Sequence, residues 1–282
     1  MMKSKLILVE GIPGSGKSTF AERIAAYYTG RGLTADLYTE GGYHPADLAW
    51  NAYIPAEDLD RVLAPFRSFR DEIEANTRRE DGFAILSYTQ VPSGTPAFFK
   101  AMEEHEIYDG RIPFSRFREI LSKRWYSFGK EAAEKNAVTV FECAFLQNQV
   151  NELMLIRLAD IETMKRYFQE LLLTVLPLSP VLVYLAQSDV KETVARAAAQ
   201  RVSGDNSWID GFICYMENTP YGKKHGIRGF DGVIRVLEER QKAELEIIRS
   251  LPVPGIVLEN TCYDWEALWE ELESKLLQVY SV

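Results

Sequence analysis

The sequence is poor in the features that would place a chain in an oxidising compartment, on nucleic acid or in a membrane. Its three cysteines, Cys143, Cys214 and Cys262, are odd in number, widely scattered and never arranged as C-x-x-C. That pattern argues against a disulfide framework and against a structural zinc site. Basic excess is missing as well: 32 Lys and Arg stand against 41 Asp and Glu, a net charge of −9. An extended nucleic-acid surface would need a basic footprint, so only a local basic pocket is left room for. No apolar run suits a membrane span, because the greasiest stretch, 171–186, is broken by Pro177 and Pro180. The chain enters a core strand almost at once, so no secretory signal is expected. Internal repeats and low-complexity linkers are absent too. A reducing cytoplasm fits these absences, with neither nucleic acid nor membrane expected as a partner.

What is present is an ordinary globular composition, 46% hydrophobic and 26% charged, and one sharp motif. The apolar run 6–9 ends at Glu10 and passes into Gly11-Ile12-Pro13-Gly14-Ser15-Gly16-Lys17-Ser18, which fills G-x-x-x-x-G-K-[ST]. The chemistry explains the spacing. Backbone N–H groups must wrap phosphate oxygens, and side chains at positions 11, 14 and 16 would block that approach. Lys17 then reaches the β- and γ-phosphates, the Ser18 hydroxyl takes a place on Mg²⁺, and a helix starting there turns its positive end to the anion. Gly11, Pro13, Gly14, Ser15, Gly16, Lys17, Ser18 and Thr19 are the expected nucleotide-binding residues.

Strand-like and helix-like patterns alternate along the chain, which implies an α/β fold with a parallel sheet wrapped by helices. Strands are expected at 33–39, 83–90, 138–142, 181–185 and 256–259. Residues 43–81 read as irregular with two short helices interrupted at Pro65. The spacing predicts helices over 115–136, from about 148, from an Asp160 cap, from an Asp189 cap carrying Arg196 and Arg201, over 233–251, and from an Asp264 cap. Residues 203–232, rich in glycine, aromatics and basic residues, read as a mobile segment rather than a core element. One domain, 1–282, is expected, with an acceptor-side segment at about 41–136 and a lid at about 196–232.

Phosphate loops serve many reactions, so discrimination rests on the rest of the chain. The N-K-x-D and D-x-x-G strings of a GTPase and the L-S-G-G-Q signature of a transporter do not occur. Thr39-Glu40-Gly41-Gly42 with Trp50 downstream, Val140-Phe141-Glu142-Cys143, and Tyr184-Leu185 followed by Arg196 and Arg201 resemble the kinase group that includes thymidylate kinases, deoxynucleoside kinases and adenylate kinase relatives. The arginine that follows the acid of the 138–142 strand in that group is replaced here by Cys143.

The resemblance implies a three-layer αβα phosphate-loop NTPase fold with about five parallel strands, and an ATP-dependent kinase acting on a hydroxyl or phosphate of a small-molecule acceptor. A nucleoside or nucleotide kinase proper is one alternative, and a regulatory ATPase acting through a protein partner is the other. ATP and Mg²⁺ are the implied cofactors. Lys17, Glu40, Glu142, Arg196 and Arg201 are the implied catalytic residues, with Ser18 and Glu142 on the metal. Which of Glu40 and Glu142 is the base, ATP against GTP, and whether the protein is a homodimer all stay open. His44, Asp47, Trp50 and Tyr53 follow Glu40 and are read either as lining for an acceptor or as a packed loop. Lys223, Lys224 and Arg228 are read as a basic site or a solvated turn.

Overall fold

The computed structural model describes residues 4–203 and 206–280. In chain order its elements are β1 (Leu6–Gly11), α1 (Lys17–Thr29), β2 (Thr34–Tyr38), β3 (Ala52–Pro55), α2 (Leu59–Leu63), α3 (Arg70–Ala75), β4 (Thr77–Glu80), β5 (Phe83–Leu86), α4 (Pro96–Glu103), α5 (Phe114–Glu134), β6 (Ala137–Glu142), α6 (Gln147–Val150), α7 (Ile161–Leu173), β7 (Val181–Ala186), α8 (Val190–Gln200), β8 (Val202–Ser203), β9 (Asn206–Ser207), α9 (Trp208–Asn218), α10 (Pro220–His225), α11 (Gly229–Ser250), β10 (Gly255–Glu259) and α12 (Trp265–Tyr280). They form two compact units, Met1–Leu37 with Gly129–Val282, and Tyr38–Phe128. No helix among the described residues is long and apolar enough to cross a membrane.

The first unit is built on a five-stranded parallel sheet ordered β10-β7-β1-β6-β2 and flanked by helices. β1, β6 and β7 are near-continuous apolar runs because both faces of a parallel sheet are covered, and every residue of β1 and β7 is buried. Ile7, Val9, Val138, Val140, Val181, Val183 and Leu185 share a cluster with Phe20 and Ile24 of α1 and Leu268 and Leu272 of α12. The chain leaves β1 for β2 on one side of the sheet and leaves β7 for β10 on the other. The carboxyl ends of β1 and β7 therefore mark a topological switch point, the place where open α/β sheets leave a crevice for ligands.

The predicted caps are present: Asp160 accepts from Thr163 N at 2.8 Å, Asp189 from Glu192 N at 2.8 Å and Asp264 from Ala267 N at 3.1 Å. The 203–232 stretch departs from its expectation, although residues 204 and 205 lie outside the described residues. Some of its turn residues sit at helix ends, Thr219 capping α10 ahead of Pro220 and Gly226 ending it in the left-handed region at φ 61°, while Gly211 and Gly222 lie inside α9 and α10. The stretch holds α9, α10 and the start of α11, with Met216, Thr219 and Ile227 buried. Lys223 and Lys224 fall in the last turn of α10, where cations favour the helix dipole.

The second unit holds a three-stranded antiparallel sheet, β3-β5-β4, in which Leu86 stands opposite both Ala52 and Thr77. Of these strands only β5 was expected. The two short helices of this region are present as α2 and α3, joined through Ala64–Phe69, where Phe66 after Pro65 leaves helical geometry at φ −114°. Phe98 and Met102 of α4 complete a core with Ile54, Leu59, Leu63, Ile73 and Leu86.

Candidate functional site

The glycine-rich stretch lies at the carboxyl end of β1, between β6 and β7. Gly11 is opposite Leu185, and a Cβ on Gly11 would come within 2.7 Å of the Leu185 carbonyl oxygen. Gly14 has φ +84°, and a Cβ there would meet the Ala197 Cβ at 2.9 Å and the Thr193 carbonyl at 3.0 Å. Only glycine lets the backbone take this path against α8. Outside contacts then fix the loop. Asn260 Nδ2 donates to the Ser15 carbonyl at 2.6 Å, and Tyr263 Oη donates to the Gly14 carbonyl at 2.5 Å. Gly16 is the N-cap of α1 and supplies no side-chain cap, so the first N–H groups of a 13-residue helix remain available to an anion.

Two further side chains define the loop's chemistry. The Ser15 hydroxyl is buried and finds no hydrogen-bond partner among the described residues, a position a bound oxyanion would satisfy. Lys17 is 6% exposed and donates Nζ to the Ile12 carbonyl at 2.9 Å, folding its charge back over the loop.

β6 pairs with β1 so that Val9 faces Glu142. This register brings the acid at the end of β6 to the start of α1, where the Ser18 hydroxyl donates to Glu142 Oε1 at 2.6 Å. Cys143 follows at φ 65° with its Sγ 3.7 Å from the same oxygen. A hydroxyl and a carboxylate sharing one proton-bridged contact are a donor set suited to a hard, oxygen-loving cation. The orphaned Ser15 hydroxyl and the uncapped helix suit the phosphates such a cation would accompany.

The arginines of α8 lie in different surroundings. The Arg196 guanidinium sits 4.1 Å from the Tyr263 ring centroid and 3.4 Å from Glu192, while Arg201, at the end of the helix, sits 4.8 Å from the Trp208 ring. Arg196 therefore shares Tyr263 with the glycine loop, and Arg201 joins α8 to the start of α9.

Glu40 belongs to the second unit, in the turn after β2, exposed and accepting from Trp50 Nε1 at 3.1 Å. In that unit His44 and Asp47 are buried and tie a loop together. His44 Nδ1 accepts from Ala46 N and Asp47 N at 3.1 and 2.8 Å, and Asp47 accepts from Tyr108 Oη at 2.5 Å. Burial, reinforced by Arg124, pushes the His44 imidazole down to about 3. Arg124 donates to Glu80 Oε2 at 2.7 Å and to the His44 carbonyl at 2.8 Å, and Tyr43 also donates to Glu80.

Several site residues escaped sequence reasoning. Tyr263, four residues after the end of β10, carries no motif, and Asn260, which resembles the end of the last strand in the kinase group, was not expected to hold the glycine loop. Glu10 is fully buried and accepts from Phe145 N and Gln147 N at 2.8 and 2.9 Å. Burial, opposed by these N–H groups and reinforced by Glu244, raises it to about 7. An acid closing an apolar run was its available signal. Arg240 and Glu244, 1% and 0% exposed, lie four residues apart on the apolar face of α11, a spacing that was itself a signal. No protein-family model matches the chain, and no curated protein matches it in sequence.

Proposed function

We propose that the protein is an ATP-dependent phosphotransferase with a phosphate-loop NTPase fold, moving the γ-phosphate of ATP to a hydroxyl or phosphate of a small-molecule acceptor. The observation that carries this reading is the Ser18–Glu142 contact at 2.6 Å, made where a glycine loop, an uncapped helix and Lys17 converge. Phosphoryl transfer asks for little covalent chemistry from the protein and much positioning and charge neutralisation.

The residues divide that work. Backbone N–H groups of 11–18 and the first turn of α1 bind the phosphates. Lys17 leaves the Ile12 carbonyl and puts its charge on the β/γ oxygens. Ser18 and Glu142 would hold Mg²⁺, which when bound neutralises charge on the transferred group. Arg196 adds positive charge from α8, and Glu40 and Glu142 are the two candidates for general base toward the acceptor hydroxyl.

The test is ADP formation across a panel of nucleosides, nucleotides, sugars and antibiotics. Production that depends on one acceptor class supports the reading. Hydrolysis indifferent to every acceptor, together with a protein complex that forms with ATP and not with ADP, would favour a regulatory ATPase instead.

A further inference from the structure

The most expensive group near the loop belongs to no phosphate-loop motif. Arg240 projects from the apolar face of α11, among Val233, Val236, Leu237, Ile247 and Ile248, and is 1% exposed. Its Nη2 donates to the Gly11 carbonyl at 3.3 Å and its Nη1 to Asn151 Oδ1 at 3.1 Å. Its Nε lies 3.0 Å from Glu244 Oε1, an ion pair by distance whose N–H is not aligned as a hydrogen bond. Glu244 is held from the other side by Tyr184 Oη of β7 at 2.5 Å.

A buried ion pair is seldom the cheapest way to fill a core, since hydrophobes of similar volume are often as stable or more so. The helix pattern would accept a leucine or methionine at 240. What a hydrophobe cannot do is hold a carbonyl. Gly11 is the residue at which β1 ends and the loop begins, and its neighbour Glu10 is fixed by Phe145 N and Gln147 N after β6. Arg240 thus ties the root of the loop to α11 and to the π-helical turn Asn151–Ile156 that follows α6.

The geometry points to Arg240 as a positioning residue for nucleotide binding: through the Gly11 carbonyl its guanidinium sets the direction in which the loop leaves β1, and Glu244 and Asn151 hold it there. The inference rests on the phosphate-loop reading of residues 11–18. Arg240 touches no phosphate itself; it acts on the backbone that does.

The decisive variant is R240M/E244Q. It removes both charges, keeps the volume, and leaves an acceptor for Tyr184, so the fold should survive. We expect melting within a few degrees of wild type but ATP·Mg affinity, measured by titration calorimetry, weakened about tenfold or more, with the KM of any identified acceptor unchanged. Wild-type ATP affinity in a folded R240M/E244Q protein would overturn the inference. Should that variant not fold, Arg240→Lys decides, because it keeps the charge and loses the planar fork. A loss of about threefold or more in ATP affinity with melting retained supports the positioning role, and unchanged affinity overturns it. Failure of the wild-type protein to bind ATP at all would instead sink the functional reading on which the inference stands.

Discussion

Ser18 and Glu142 are 124 residues apart in sequence and share a hydrogen bond of 2.6 Å, because two parallel strands in register deliver one to the start of a helix and the other to a strand end. Replacing Glu142 by Gln keeps an acceptor for the Ser18 hydroxyl and removes the negative charge. Activity or Mg²⁺ affinity should fall by roughly 10- to 100-fold with little change in melting temperature. A magnesium titration of the variant, read as ADP formation, checks this; an unaltered magnesium requirement would remove Glu142 from the metal site.

Lys17 donates Nζ to the Ile12 carbonyl of its own loop. Lys17→Ala should therefore leave the fold intact and lower the rate of phosphoryl transfer by about 10²- to 10³-fold, the usual consequence of losing one preorganised positive group at the transferred charge. Transfer at the wild-type rate would end the phosphotransferase reading.

The left-handed backbone at Gly14 and its approach to Ala197 predict a stability effect independent of function. Gly14→Ala should cost about 1–3 kcal/mol, combining a strained φ with overpacking. Urea unfolding measures it, and a variant as stable as wild type would mean that the loop does not pack against α8 as described.

Glu10 makes a prediction about pH. Its carboxyl is raised from 4.5 to about 7, so between those values the folded state binds more protons than the unfolded one. The stability this proton contributes is complete below about pH 4.5 and lost as pH rises through about 7, up to about 3 kcal/mol in all. Glu106, raised to about 7 mainly by burial, acts with the same sign. His44, lowered to about 3, acts oppositely: its contribution is present above about pH 6.5 and disappears as pH falls toward 3. The wild-type profile is therefore composite, and the difference between wild type and Glu10→Gln isolates the first group. Chemical unfolding of both proteins from pH 4.5 to 8 should give curves that separate as pH rises, wild type losing stability relative to Glu10→Gln; parallel curves would show that Glu10 is not held protonated by the fold.

What could be read from the sequence follows from how local each signal is. The turn from β1 into α1 was legible because glycines at set spacing follow an apolar run. β6 and β7 were legible because parallel strands covered on both faces are apolar throughout. The Asp160, Asp189 and Asp264 caps each satisfy a backbone N–H three residues on. β3 and β4 were not legible: Ala52–Pro55 and Thr77–Glu80 have four residues each, the second with three charges, and they are strands because β5 lies between them. Residues 208–225 misled for the reverse reason, since Gly211 and Gly222 are carried inside α9 and α10 and Pro220 starts a helix rather than prevents one. The Arg240–Glu244 pair could have been noticed as charges on an apolar helical face, but its target, a carbonyl more than two hundred residues earlier, exists only in the folded chain.

The closeness of Gly14 to Thr193 and Ala197 has a mechanical consequence for the arginines of α8. The loop is seated so closely against the middle of this helix that a Cβ on Gly14 would meet the Thr193 carbonyl at 3.0 Å and the Ala197 Cβ at 2.9 Å, and Tyr263 contacts both the Gly14 carbonyl and the Arg196 guanidinium. Arg196 is thus geared to the loop: on the phosphotransferase reading, a displacement of residues 14 and 15 by a bound nucleotide would reach its guanidinium through Tyr263, which contacts both.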